Sequence, residues 1–205
     1  MILNERQTDA LSEFINIAFA RTASSLSDIS GRRVLLDPPN VGVHPIDELA
    51  TELGAFIQGD IASIHQMFSG EISGDALLMI NHDGALHLAA LLTEVSPDSR
   101  QLDTAAREVL TEIGNILLNA CLGMFGNLLH VQVTFSMPRL HLESLANILK
   151  SVTIGKEELR YAVVVSTAFR VKDSEVSGYL ILVLGVSSLE RLVHGIEDWE
   201  GRQRV

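Results

Sequence analysis

Residues 11–17 read Leu-Ser-Glu-Phe-Ile-Asn-Ile, and residues 110–116 read Leu-Thr-Glu-Ile-Gly-Asn-Ile. Sliding the chain against itself by the 99 positions between them pairs Leu11 with Leu110, Glu13 with Glu112, Asn16 with Asn115 and Ile17 with Ile116. Val34 then falls on Val133 and Pro39 on Pro138, and the apolar pattern travels with them. At a later offset of 104, Ser73-Gly74 falls on Ser177-Gly178, and the apolar run 76–80 on 180–184. Self-similarity at a fixed long period is the mark of a repeated unit. It implies one domain over 1–205 made of two repeats, about 5–96 and 101–195, with a five-residue insertion in the second.

Each repeat reads in the same order. Leu11, Phe14, Ile15, Ala18, Phe19, Thr22 and Leu26 recur at helical spacing over 7–27, and Gly31 supplies a stop. A strand follows over 32–43, marked by Pro38-Pro39 as bulged or near an edge. A short helix over 46–53 leads to strands 57–68 and 76–81, joined as a hairpin through Ser69-Gly70 and Ser73-Gly74. A helix over 83–92 ends the copy. The second copy gives a helix over 103–127, a strand over 131–135, a short helix over 142–150, a hairpin of 161–171 with 178–184, and a helix over 188–195. The charged tail 197–205 reads as exposed or frayed. The order helix–strand–helix–strand–strand–helix, twice, implies an α+β fold, internally duplicated and pseudo-twofold, with a mostly antiparallel sheet and long motif helices.

Composition narrows the function. The 205 residues are 47% hydrophobic and 20% charged, an ordinary globular balance. A formal charge of −11 and the absence of Lys/Arg clusters argue against nucleic acid, whose phosphates need such clusters. One cysteine, Cys121, forbids an internal disulfide and fits a reducing compartment. Residues 1–6 do not open a secretory signal, and the longest apolar runs are short of the ~20 residues of a membrane span. The expectation is a cytoplasmic protein without membrane insertion.

Polar residues stand out on the first helix of each copy. Asp9, Glu13 and Asn16 sit at i, i+4 and i+7, and Glu108, Glu112 and Asn115 repeat the spacing. At 100° per residue each triplet spans about 60° of helix face. Acidic pairs four apart repel slightly, and Asn is a mediocre helix former. A merely solvated face accounts for acidic stripes in general, but it does not call for Glu-x-x-Asn twice.

Here the sequence resembles the CheC/CheX/FliY family, phosphatases of the phosphorylated chemotaxis response regulator CheY. The stretches from Asp9 to Ile17 and from Glu108 to Leu117 are similar to the family's duplicated Asp/Ser-x3-Glu-x2-Asn signature, with Glu108 where Asp or Ser is usual. The duplication resembles the two-site CheC branch, and the likeness covers roughly residues 5–195. The resemblance implies that Asn16 and Asn115 position water, that Glu13 and Glu112 pair with a lysine of the receiver, and that Asp9 and Glu108 are peripheral docking contacts. It implies a phosphorylated CheY-like receiver as partner and, as in members that bind it, the receptor deamidase CheD through a separate surface. The first stripe, closer to the signature, is expected to contribute at least as much as the second.

The chemistry suits those residue types. An aspartyl phosphate already sits beside the receiver's own Mg²⁺ and lysine, so a helper needs no cofactor, metal or nucleophile; it has to hold one water in line. A neutral carboxamide can accept from water and donate elsewhere without repelling the phosphoryl group. The alternative is a non-catalytic adaptor that binds a response regulator, CheD or a flagellar-switch component on the same surfaces. Other chemistries lack support. The seven histidines make no His-x3-His pair, His82, Asp83 and His87 being the one loose ligand set. Cys121 falls among leucines as a buried thiol, and no nucleophile elbow, phosphate loop or dinucleotide fingerprint is present.

Overall fold

The computed structural model describes residues 3–31, 33–54, 57, 59–93, 102–153, 160–171 and 174–203. The first motif segment folds as α1 (Glu5–Ser30). Asn4 Oδ1 accepts from the Gln7 amide at 2.9 Å, and Gln7 Oε1 accepts from the Asn4 amide at 3.0 Å. This reciprocal cap satisfies two donors that a helix start leaves orphaned. Gly31 closes the helix at φ 62°, a left-handed backbone that needs no Cβ. The second motif segment folds as α4 (Thr104–Leu129), where Asp103 Oδ1 accepts from the Ala106 amide at 2.8 Å.

The strands are β1 (Val34–Leu36), β2 (Asn40–Pro45), β3 (Asp60–Gly70), β4 (Gly74–Asn81), β5 (Val133–Phe135), β6 (Arg139–Ser144), β7 (Arg160–Val171) and β8 (Ser174–Gly185). They form one antiparallel sheet in the order β1-β7-β8-β4-β3-β5, with β2 also beside β7 and β6 beside β3. The pairing is the same from either edge: a split outer strand, a hairpin, then the β4–β8 seam. Each split strand lies on the hairpin of the other half. Val41 pairs with Val165 as Leu140 pairs with Ile64, and Leu78 faces Leu180 across the seam. The pattern therefore makes Leu78 and Leu180 equivalents that meet on an approximate twofold axis. Matching Ser73-Gly74 to Ser177-Gly178 is two residues out of this register. An even slip leaves every side chain on its face, so the apolar runs still matched.

Alternation along the strands divides the interior into two layers. Ile64, Phe68, Leu78, Ile80, Val165 and Leu180 face α1 and α4, with α3 (His82–Thr93) and α6 (Val186–Gln203) completing that side. Ile61, Leu77, Met79, Ile181 and Val183 face the short helices α2 (Leu49–Gly54) and α5 (Leu145–Thr153). Phe14, early in α1, stacks on Phe125, late in α4, at a centroid distance of 5.2 Å, so the two long helices run antiparallel. Trp199 meets Phe14 edge-on at 5.9 Å. Phe14→Ala removes a ring that is 3% exposed from this junction and is expected to cost ~3–5 kcal/mol, read as a lower urea midpoint. An unchanged midpoint would mean that the long helices are held elsewhere.

Three sequence expectations are corrected. The strand over 32–43 is two, β1 and β2, broken at Asp37-Pro38-Pro39, because proline has no N–H to give the ladder. The chain over 139–144, partly taken as helix, is β6, and α5 begins only at Leu145. Up to Gln203 the tail is helix rather than frayed chain: Asp198, Gly201 and Arg202 are exposed as expected, but Trp199 packs against the core. Gln7 Nε2 donates to Glu197 Oε1 at 2.8 Å, tying the end of α6 to the start of α1, and this bond holds the carboxyl below its ordinary pKa. The stability it adds is present above the ordinary carboxylate range and is lost as pH falls through the lowered value. The joint at Ser96-Pro97-Asp98 lies outside the described residues.

Candidate functional site

Asp9, Glu13 and Asn16 are all exposed on α1, while Ala10, Leu11, Phe14 and Ile15 between them are buried in the core. Among the described residues none of the three polar side chains has a hydrogen-bond or ion-pair partner. Capping at Asn4 and the stack at Phe14 fix the rotation of the helix, so the outward direction of the stripe follows from the packing of its inner face. On α4, Glu108 and Glu112 are exposed and likewise unpaired among the described residues, but Asn115 is half-buried. Its Oδ1 accepts from Asn119 Nδ2 at 2.7 Å, one turn further along the helix. Each triplet is thus gathered on one helix face, and the two triplets lie on separate antiparallel helices.

Both stripes lie along the outer faces of their helices. A cleft of about 300 Å³ opens on the opposite face of the sheet, where Asn40, His44, Glu52, Ser166 and Tyr179 are among its walls. An exposed row of two carboxylates and an amide can dock a cationic partner and offer one neutral hydrogen-bonding group, and it can do no self-contained chemistry. Among the described residues no three His, Cys, Asp or Glu side chains are placed to hold a metal ion; His82 Nδ1 lies 3.8 Å from Asp83 Oδ1 without a third ligand. Cys121 is 1% exposed, and burial pushes its thiol up to about 12. The thiolate is the reactive form. The folded protein is therefore expected to resist a thiol-modifying reagent at pH 8 and to react once unfolded; fast labelling of the native protein would contradict that burial.

The helix α4 is long and apolar enough to cross a membrane by length and composition alone. Its apolar face is instead occupied: Leu110, Ile113, Leu117, Leu118, Cys121 and Leu122 belong to the core beneath it.

No family model matches the chain. The CheY-P phosphatase CheC of Bacillus subtilis (strain 168) is 23% identical over 196 residues, covering 93% of each chain. Among solved structures, FliY of Thermotoga maritima superposes with a TM-score of 0.78 at 18% identity, over 97% of this chain and 99% of that one. The chain has the CheC/CheX/FliY fold. FliM in the FliG–FliM complex of H. pylori shares it at TM-score 0.61 and 16% identity, covering 94% of this chain and 100% of that one. CheX in the CheX–CheY–BeF3–Mg²⁺ complex of Borrelia burgdorferi matches at TM-score 0.51 and 16% identity, covering 82% and 96%. The chain is thus similar to a CheY-P phosphatase in sequence and to FliY, FliM and CheX in fold.

Sequence reasoning missed Asn119, which reads as one more polar residue of a helix. The available signal was Gln66, an amide that falls between Ile64 and Phe68 on the inward alternation of its strand.

Proposed function

We propose that the protein accelerates loss of phosphate from a CheY-like aspartyl phosphate, in the cytoplasm where such receivers work. The observation that carries this is the Glu-x-x-Asn row on both long helices of a CheC-like chain, exposed at Glu13, Asn16 and Glu112 and half-buried against Asn119 at Asn115. Glu13 and Glu112 would pair with the receiver's lysine, and Asp9 and Glu108 would meet the docked surface one turn earlier. Asn16 and Asn115 would then hold a water in line with the phosphorus. The water oxygen bonds to phosphorus as the bond to the aspartyl oxygen breaks, releasing inorganic phosphate and the free carboxylate. Positioning of this kind supplies rate by fixing geometry, and the receiver supplies Mg²⁺ and charge neutralisation.

The test is phosphate release from purified phosphorylated receivers of the same cell, with and without the protein. Faster release by at least one receiver is expected, and none from free aryl phosphates, which lack the receiver's metal and lysine. Unaltered release from every receiver would sink the proposal. A second reading has its own support in the fold shared with FliM, which is solved in complex with FliG: a non-catalytic adaptor of the flagellar switch, or one that binds a receiver or CheD. Binding without faster release is the result that selects it.

A further inference from the structure

We infer that Asn119 is a positioning residue of the second stripe, fixing which end of the Asn115 carboxamide faces outward. The inference rests on the proposed role of Asn115 and deepens it. Its root is the main chain between β5 and β6, where the Ser136 amide donates to the Met67 carbonyl at 2.9 Å and Ser136 Oγ accepts from the Met67 amide at 3.0 Å. The carbonyl of Ser136 can only accept, so Gln66, 2% exposed, must aim its NH2 there, at 2.9 Å. The second hydrogen of that NH2 reaches Asn119 Oδ1 at 3.1 Å. Asn119 must then show its own NH2 to Asn115, whose Oδ1 accepts at 2.7 Å. Donation runs one way from the sheet to the site. Turning Gln66 over would set its oxygen against the Ser136 carbonyl, and turning Asn119 or Asn115 alone would set two donors or two acceptors face to face. Gln66 Oε1 stays buried without a partner among the described residues.

Asn115 therefore meets the solvent with its NH2 free and one oxygen lone pair remaining. In a docked complex the amide is set to donate to a phosphoryl oxygen while its second lone pair takes the water. Gly114 makes the relay possible. A Cβ there would lie 2.6 Å from Ile64 Cγ2, so α4 approaches β3 as only a glycine allows, and Asn119 comes within reach of Gln66. The first stripe has no counterpart. Ile15 stands at the glycine position and Ala20 at that of Asn119. Thr167, in the place of Gln66, donates to the Asp37 carbonyl at 2.8 Å, and among the described residues no second bond runs from it to α1. Asn16 is left free to rotate. The second site is pre-organised and the first is not, which reverses the weighting expected from Glu108.

Two measurements test this. In unmodified protein without a receiver, side-chain amide NMR relaxation is expected to show Asn115 ordered and Asn16 mobile, and Asn119→Ala should loosen Asn115 to the level of Asn16. Asn119→Asp, which keeps size and the bond from Gln66 but cannot donate when ionised, turns the Asn115 oxygen outward. In the Asn16→Ala background it is expected to lower kcat for phosphate release roughly 10-fold with KM changed less than about twofold. An Asn115 amide as mobile as that of Asn16 would overturn the inference, as would unchanged kcat in a background that is active and depends on Asn115. If unmodified protein turns over no receiver, the proposed function fails instead, and the relaxation comparison alone decides the positioning.

Discussion

With both amides removed, by Asn16→Ala and Asn115→Ala together, release of phosphate from the receiver is expected to fall ~10²-fold or more while receiver affinity stays close to its starting value. Asn16 is exposed, and Asn115 hydrogen-bonds Asn119 on the same helix, so both truncations leave the apolar core beneath α1 and α4 in place. Each single variant should keep part of the rate, because the other helix still works, with Asn115→Ala costing more since its amide is the ordered one. Steady-state release and receiver affinity on the four proteins check this. Unchanged turnover in the double variant would remove the amides from the chemistry. Loss of binding and turnover together would make them docking groups.

Charge reversal is the second large effect. Glu13→Lys with Glu112→Lys sets an ammonium against the receiver's lysine in both stripes, and like charges facing each other across an interface cost several kcal/mol. Receiver affinity is expected to fall ~10²-fold, with much of the loss in the association rate and a weaker dependence on salt. Both carboxylates are exposed without internal partners, so thermal stability should be nearly unmoved. Titration calorimetry with circular-dichroism melts separates the outcomes: retained affinity would place docking elsewhere on the molecule. The adaptor reading predicts the same affinity loss with no turnover to lose.

The long helices, the two hairpins and the outward row on α1 were legible because their signals are local. Leu11, Phe14, Ile15, Ala18 and Phe19 set a helical period, and Gly31 ends it. What escaped depends on partners distant in the chain. Arg139-Leu140-His141-Leu142 alternates as a strand should, but Leu142 through Leu149 also suits a helix, and only pairing with β3 decides between them. Leu189, Leu192, Val193 and Ile196 point on to Trp199 at helical spacing, a signal obscured by the charges around it. Asn119 was beyond local reading altogether, since its meaning comes from Gln66, 53 positions earlier.

The crossed strand pairing limits what the chain can lose. β1 and β2 have their ladder on β7, and β5 and β6 have theirs on β3, so cutting the chain between the halves would strip partners from both hairpins. A side chain of either stripe can be exchanged without touching a single ladder hydrogen bond. A stripe can thus be altered one side chain at a time, while neither half can be dropped without unpairing strands of the other.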